Sequence, residues 1–132
     1  MSRRYSFRAQ DGQAATEMAL VLPFLVAILL AIAQFGVAFN NYITLTDATR
    51  AGARKASVGR FVGDNGASAI TAVRSAAANL NQTDLSVDVT SPNWSVPGSA
   101  VTVTATYPYS INILGWTVSA GNLTSTTQER LE

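Results

Sequence analysis

The sequence predicts an α+β fold: a long N-terminal transmembrane helix that extends into a small outer domain with a short helix and a three-stranded antiparallel sheet. Three observations predict it. No charged residue occurs between Glu17 and Asp47, an uncharged stretch of 29 residues. Helical apolar spacing returns over residues 67–80, and alternation with period two sets in from residue 85. Of the 132 residues, 48% are apolar and 13% are charged, about half the ~25% charged share of an ordinary soluble domain. The apolar surplus is concentrated in the uncharged stretch.

Within that stretch, 19 of the 22 residues from Met18 to Phe39 are apolar, the exceptions being Pro23, Gln34 and Gly36. At a rise of ~1.5 Å per residue such a helix reaches roughly 33 Å, enough to cross a ~30 Å hydrocarbon core. Pro23 lacks a backbone donor and faces the Ala19 carbonyl, which a membrane helix tolerates, with a kink as the expected result. Arg3, Arg4 and Arg8 precede the run. That order fits a secretory signal, a permanent anchor of the envelope without further role, or a prepilin leader. Ala31-Ile32-Ala33 offers signal peptidase a small-x-small site before Gln34, releasing a soluble binding domain. Against that release stand Glu17 directly before the run and the run's continuation through Phe35, Val37 and Phe39.

Glu17 has a physical rationale of its own. A carboxylate at the edge of a bilayer is costly unless paired, and an α-amino group freed at Gln13 would place a cation within one helical turn. A negative charge there also suits the dipole of the helix N-terminus. The arrangement Gly12-Gln13-Ala14-Ala15-Thr16-Glu17 resembles the cleavage region of type IV prepilins. Together with Met18-Ala19-Leu20-Val21-Leu22-Pro23, Gln34-Phe35-Gly36 and Thr49-Arg50-Ala51-Gly52-Ala53-Arg54, it resembles the TadE-like family of tight-adherence (Flp) pilus pseudopilins. Met18 departs from the aromatic residue often found after that Glu. The resemblance implies a pilin-like fold and cleavage by a prepilin peptidase between Gly12 and Gln13. It implies as partners the other pilin or pseudopilin subunits and the inner-membrane assembly platform. It also implies a cytoplasmic N-terminus with the C-terminal domain outside, which the charges alone leave open: Arg3, Arg4 and Arg8 on one side balance Arg50, Arg54 and Lys55 on the other.

The expected organisation is a basic leader at 1–12, a long apolar helix at 13–60 with its membrane span at 18–39, and a small outer domain at 61–132. Beyond Phe39 the small residues Ala48, Gly52 and Ala56 recur every fourth position. Such a stripe permits close packing, against the domain's own sheet or against a neighbouring subunit's helix. On another face lie Arg50 and Arg54, the juxtamembrane basic residues, with Asp47 placed to pair with Arg50. Arg50 would stand roughly 16 Å past Phe39 and reach lipid phosphate only if the helix tilts or bends.

Gly59 to Gly66 reads as a loop, with Asp64-Asn65 placed to cap a helix over Ala67–Leu80. Arg74 on that helix is expected to reach for water. Leu85, Val87 and Val89 mark the first strand, and Val101, Val103, Ala105 and Tyr107 the second, which Pro108 should end or place at an edge. Ile111 to Trp116 is expected as a loop and Leu123 to Leu131 as the third strand. Trp94, Tyr107, Tyr109 and Trp116 could form an adhesive surface, but most of them are assigned to core and turn packing.

Without Cys or His, the chain lacks the groups for thiol or imidazole catalysis and for the usual zinc and haem sites. A net charge of +1 with Lys55 as the single lysine does not suit nucleic acid. Asp84, Asp88 and Glu129 fall on strands and turns without forming a persuasive acid/base pair. The expectation is a structural protein, with neither enzymatic activity nor a cofactor.

Overall fold

A computed structural model describes residues 7–59 and 63–132, with side chains from Gly12 on. Arg3 and Arg4 of the leader, the Arg8 side chain, and Arg60 to Val62 of the loop lie outside the described residues. The architecture is α+β: a long apolar N-terminal helix, a short helix, and a three-stranded antiparallel sheet.

Helix α1 spans Phe7–Ser57, 51 residues, and continues through Pro23. At ~1.5 Å per residue it is roughly 77 Å long, more than twice the depth of a bilayer core. Arg54 and Lys55 in its last turn complement the negative end of the helix dipole. Its two halves have different surroundings. From Met18 to Ile43 large apolar side chains are exposed, whereas Leu45, Ala48, Ala53 and Ala56 are fully buried. The last turns of α1 therefore belong to the core of the outer domain.

Helix α2 spans Ala67–Ala76, four residues shorter than the apolar spacing predicts. Ala77 leaves helical geometry at φ −101° and ψ 30°, and its N–H still donates to Val73 O at 2.9 Å. The carbonyls beyond are claimed from outside the helix. The Gln82 amide donates to Ala77 O at 2.8 Å and Leu80 O at 3.1 Å. Arg74 does not simply reach for water: its guanidinium donates to Gln82 O at 2.9 Å and Leu85 O at 3.3 Å, tying the turn after α2 to the start of the sheet. At the other end the capping position falls to Gly66, at φ 92°. Asp64 acts from two residues earlier, its carboxylate accepting the N–H groups of Gly66 at 3.0 Å and Ser68 at 2.8 Å. Gly66 is required twice over, because a Cβ there would also meet Val89 Cγ1 at 2.8 Å and the Trp94 ring at 2.9 Å.

Strands β1 (Ser86–Thr90), β2 (Ala100–Ile113) and β3 (Trp116–Arg130) lie in the order β1-β2-β3, antiparallel throughout. The second strand does not stop at Pro108, and the expected loop at Ile111–Trp116 is mostly strand. Pro108 pairs with Asn122, and the register runs without a shift from Ala100 to Ile111, changing only between Ile111 and Asn112. The reason lies in the first strand, whose pairing ends at Ser86↔Thr106, so that β2 is an edge strand from Tyr107 onward, where proline is tolerated. The third strand accordingly begins at Trp116 instead of Leu123. A two-residue turn, Leu114-Gly115, closes the hairpin with both φ values positive, 51° and 87°. This is the turn whose twist suits a hairpin, but Asn or Gly is its usual first residue. A leucine held in the left-handed region costs about 1–2 kcal/mol.

The core closes between α1, α2 and β2: Leu45, Ala48, Ala53 and Ala56 meet Ala69, Val73 and Ala77, with Val101, Val103 and Ala105 beneath. The abundance of alanine lets helix and sheet backbones approach closely. The C-terminus is tied in: Leu131 is buried, its N–H donating to Ser99 O at 2.9 Å, while the Glu132 N–H donates to Ser57 O at 3.0 Å.

Candidate membrane stalk, processing site and packing stripe

The stalk comes directly from composition. An all-round apolar helix is left mostly uncovered by its own chain: Leu20, Phe24, Leu29, Ile32 and Phe35 are each more than half exposed. Such a surface requires lipid or other apolar helices around it. The helix is long and apolar enough to cross a membrane, with an 18-residue window of mean hydropathy 2.6.

At its N-terminal edge, Gly12 and Gln13 lie within the helix. A Cβ on Gly12 would meet nothing within 4 Å. The Thr16 hydroxyl donates to Gly12 O at 2.9 Å, and the Gln13 amide donates to Glu17 Oε1 at 3.1 Å. Spacing of four residues places Gln13 and Glu17 on one helix face, so the atoms that cleavage after Gly12 would turn into an amine are one turn from the carboxylate.

The stripe of small residues has an occupant within the chain. Ala48 and Ala56 are fully buried, and a Cβ added to Gly52 would run into Val73 Cγ2, with Ala69 O at 3.3 Å and Val103 Cγ1 at 3.5 Å. Within the chain the stripe meets chiefly α2, where the sequence pointed to the sheet, and touches the sheet through Val103. Arg50 pairs with Asp47 at 3.6 Å, yet the two side chains are 66% and 69% exposed, which limits such a pair to about 0.5 kcal/mol. Arg54 is also exposed. Asp84 accepts from the Asn81 amide at 2.7 Å, Asp88 lies on β1 and Glu129 on β3, with β2 between them. The three carboxylates are not brought together.

One contact went unread in the sequence. Gln34, a lone amide in the apolar run, is hydrogen bonded through both ends of its side chain to the backbone of Asn112: Nε2 donates to Asn112 O, and Oε1 accepts the Asn112 N–H at 2.6 Å. The far end of the long hairpin thus lies against α1 at the level of Gln34. The isolated polar position was its only local signal. Trp94 and Tyr107 pack against the core as expected, and the Tyr109 hydroxyl reaches Ser119 Oγ at 3.5 Å, but Trp116 is 82% exposed.

The family model of the TadE-like protein matches residues 12–54. That segment is similar to TadE-like proteins. The match begins at Gly12, runs the length of the exposed stalk, and ends at Arg54 within the part of α1 that enters the core. No curated protein and no solved structure matches the chain.

Proposed function

We propose that the chain is a minor pilin or pseudopilin of a tight-adherence type IV pilus system, acting structurally in pilus assembly, surface adhesion and biofilm formation. The observation that carries this reading is the order of three boundaries: the TadE-like match and the Gly12 to Glu17 spacing begin at the same residue, and the exposed apolar stalk follows directly after Glu17. In this reading the precursor sits in the cytoplasmic membrane with its N-terminus inside and its sheet domain outside. A prepilin peptidase cuts between Gly12 and Gln13. The new amine then pairs with Glu17, in its own chain or in a neighbouring subunit, as α1 exchanges lipid for the apolar helices of other subunits at the assembly platform. The role is non-enzymatic, and Arg50 and Arg54 stay at the solvated base of the outer domain.

Intact mass of the membrane-extracted protein, from cells with and without the peptidase, tests the reading. A mature chain starting at Gln13 that reverts to the full precursor without the peptidase is the expected result. A mass starting at Gln34 would replace it with a released domain, and an unprocessed chain in both strains would leave a permanently anchored envelope protein.

A further inference from the structure

We infer that the tip of the β2–β3 hairpin, Ile111 to Val118, is a second membrane contact, entering the outer interface of the bilayer beside α1. The inference rests on reading α1 as a membrane span, and position supplies its first argument. Val103 lies beside Gly52 while Asn112 bonds Gln34, so β2 runs antiparallel to α1 and points its tip toward the stalk. Gln34 is five residues inside the Phe39 end of the apolar run, about 7.5 Å along the helix axis. With Met18–Phe39 in the bilayer, a tip held at Gln34 lies below the membrane surface.

Its chemistry fits that place. Leu114, Trp116 and Val118 are 70%, 82% and 65% exposed, three large apolar side chains within five positions. No charged residue occurs anywhere from Val89 to Gln128, so the charges of the hairpin, Glu129 and Arg130, are confined to the end of β3 far from the tip. Tryptophan is the residue suited to the boundary between headgroup and hydrocarbon. Leu114 points the same way. At φ 51° its position favours Asn or Gly, and in water a leucine there is both conformationally strained and exposed. In lipid its side chain has a solvent.

The polar side chains of Asn112 and Thr117 at the tip have internal partners. Beyond the Gln34 bonds, the Thr117 hydroxyl donates to Asn112 Oδ1 at 2.7 Å and the Asn112 amide donates to Ser110 Oγ at 3.3 Å. Groups left without water must find such internal partners. Two attachments, α1 and the tip, then fix the outer domain's rotation about the helix axis relative to the membrane plane.

The absence of cysteine makes the test direct. Leu114→Cys, Val118→Cys, Leu29→Cys and Gln128→Cys are each labelled with an environment-sensitive NBD fluorophore on the full chain, reconstituted at one copy per phosphatidylcholine–phosphatidylglycerol nanodisc. Labels at 114 and 118 should emit at shorter wavelength than the label at 128, and lipids brominated near the headgroup should quench them several-fold more strongly. If 114 and 118 behave like 128 while 29 is shielded, the tip stands clear of lipid: the inference fails and the anchor stands. If 29 is also open to water, the anchor reading itself has failed. Shielding of 114 and 118 that appears only in discs holding two copies would assign the patch to a neighbouring subunit and overturn the lipid assignment.

Discussion

The side-chain amide of Gln34 satisfies both backbone hydrogen-bonding groups of Asn112, 78 residues further along the chain. Gln34→Leu keeps the bulk and the apolar character of the helix but leaves an N–H and a carbonyl of β2 without that partner. An unpaired backbone group in a water-poor setting costs about 1–3 kcal/mol. The hairpin beyond Tyr109 should therefore open more often than in the wild type. Amide hydrogen exchange of the full chain in detergent micelles should show faster exchange at Asn112 and its neighbours, with the core residues around Val103 unchanged.

Gly52 faces α2 with no room to spare. In an exposed helix, replacing glycine by alanine gains about 1 kcal/mol of helix propensity. Here the added Cβ would displace Val73, and overpacking of this kind costs about 1–3 kcal/mol. Gly52→Ala should lower the thermal midpoint, and Gly52→Val should lower it further. Gly36→Ala supplies the contrast, since a Cβ at Gly36 would meet nothing within 4 Å and should leave the midpoint unchanged or raise it.

Asp64 links the loop to the start of α2. The Ser68 hydroxyl beside the carboxylate lowers its pKa below the ordinary value of 3.8, the N–H groups of Ser68 and Gly66 act in the same direction, and partial desolvation opposes them. A carboxyl group with a depressed folded-state pKa contributes stability that is fully present above the unfolded-state value and is lost as pH falls through the folded one. Thermal midpoints taken from about pH 5 down to about pH 2 should fall more steeply for the wild type than for Asp64→Asn, which does not titrate and whose single amide oxygen accepts only one of the two bonds, so its midpoint starts lower but varies less with pH. Parallel curves would remove Asp64 from the acid response.

Leu114 separates turn geometry from tip chemistry. Leu114→Asn places a residue that tolerates φ 51° at the first turn position and should raise the unfolding midpoint in detergent, a gain of about 0.5–1 kcal/mol. A loss of stability would show that the leucine packs in the fold itself.

Much of this architecture is legible in local sequence. Charge-free length marks the stalk because a bilayer-crossing helix has to be apolar on every side. The four-residue recurrence of Ala48, Gly52 and Ala56 marks a face for close approach, since helical geometry alone puts those positions in one row. Alternation marks β1 and the first half of β2. The end of α2 was harder to read, because Gln82 and Arg74 claim the carbonyls that would otherwise have continued the helix or turned to water.

By itself the sequence determined an apolar stalk with its Gly12 to Glu17 entry, followed by a short helix and three strands, because periodicity and hydropathy are properties of neighbouring residues. Tertiary structure alone decided that the small-residue stripe turns inward onto Val73 and Val103, that β2 continues past Pro108, and that the hairpin reaches back to Gln34. Each of these depends on a partner distant in the chain. A proline is acceptable only once β1 has ended, a glycine is obligatory only once Val73 faces it, and a lone glutamine in an apolar helix acquires its role only when Asn112 arrives beside it.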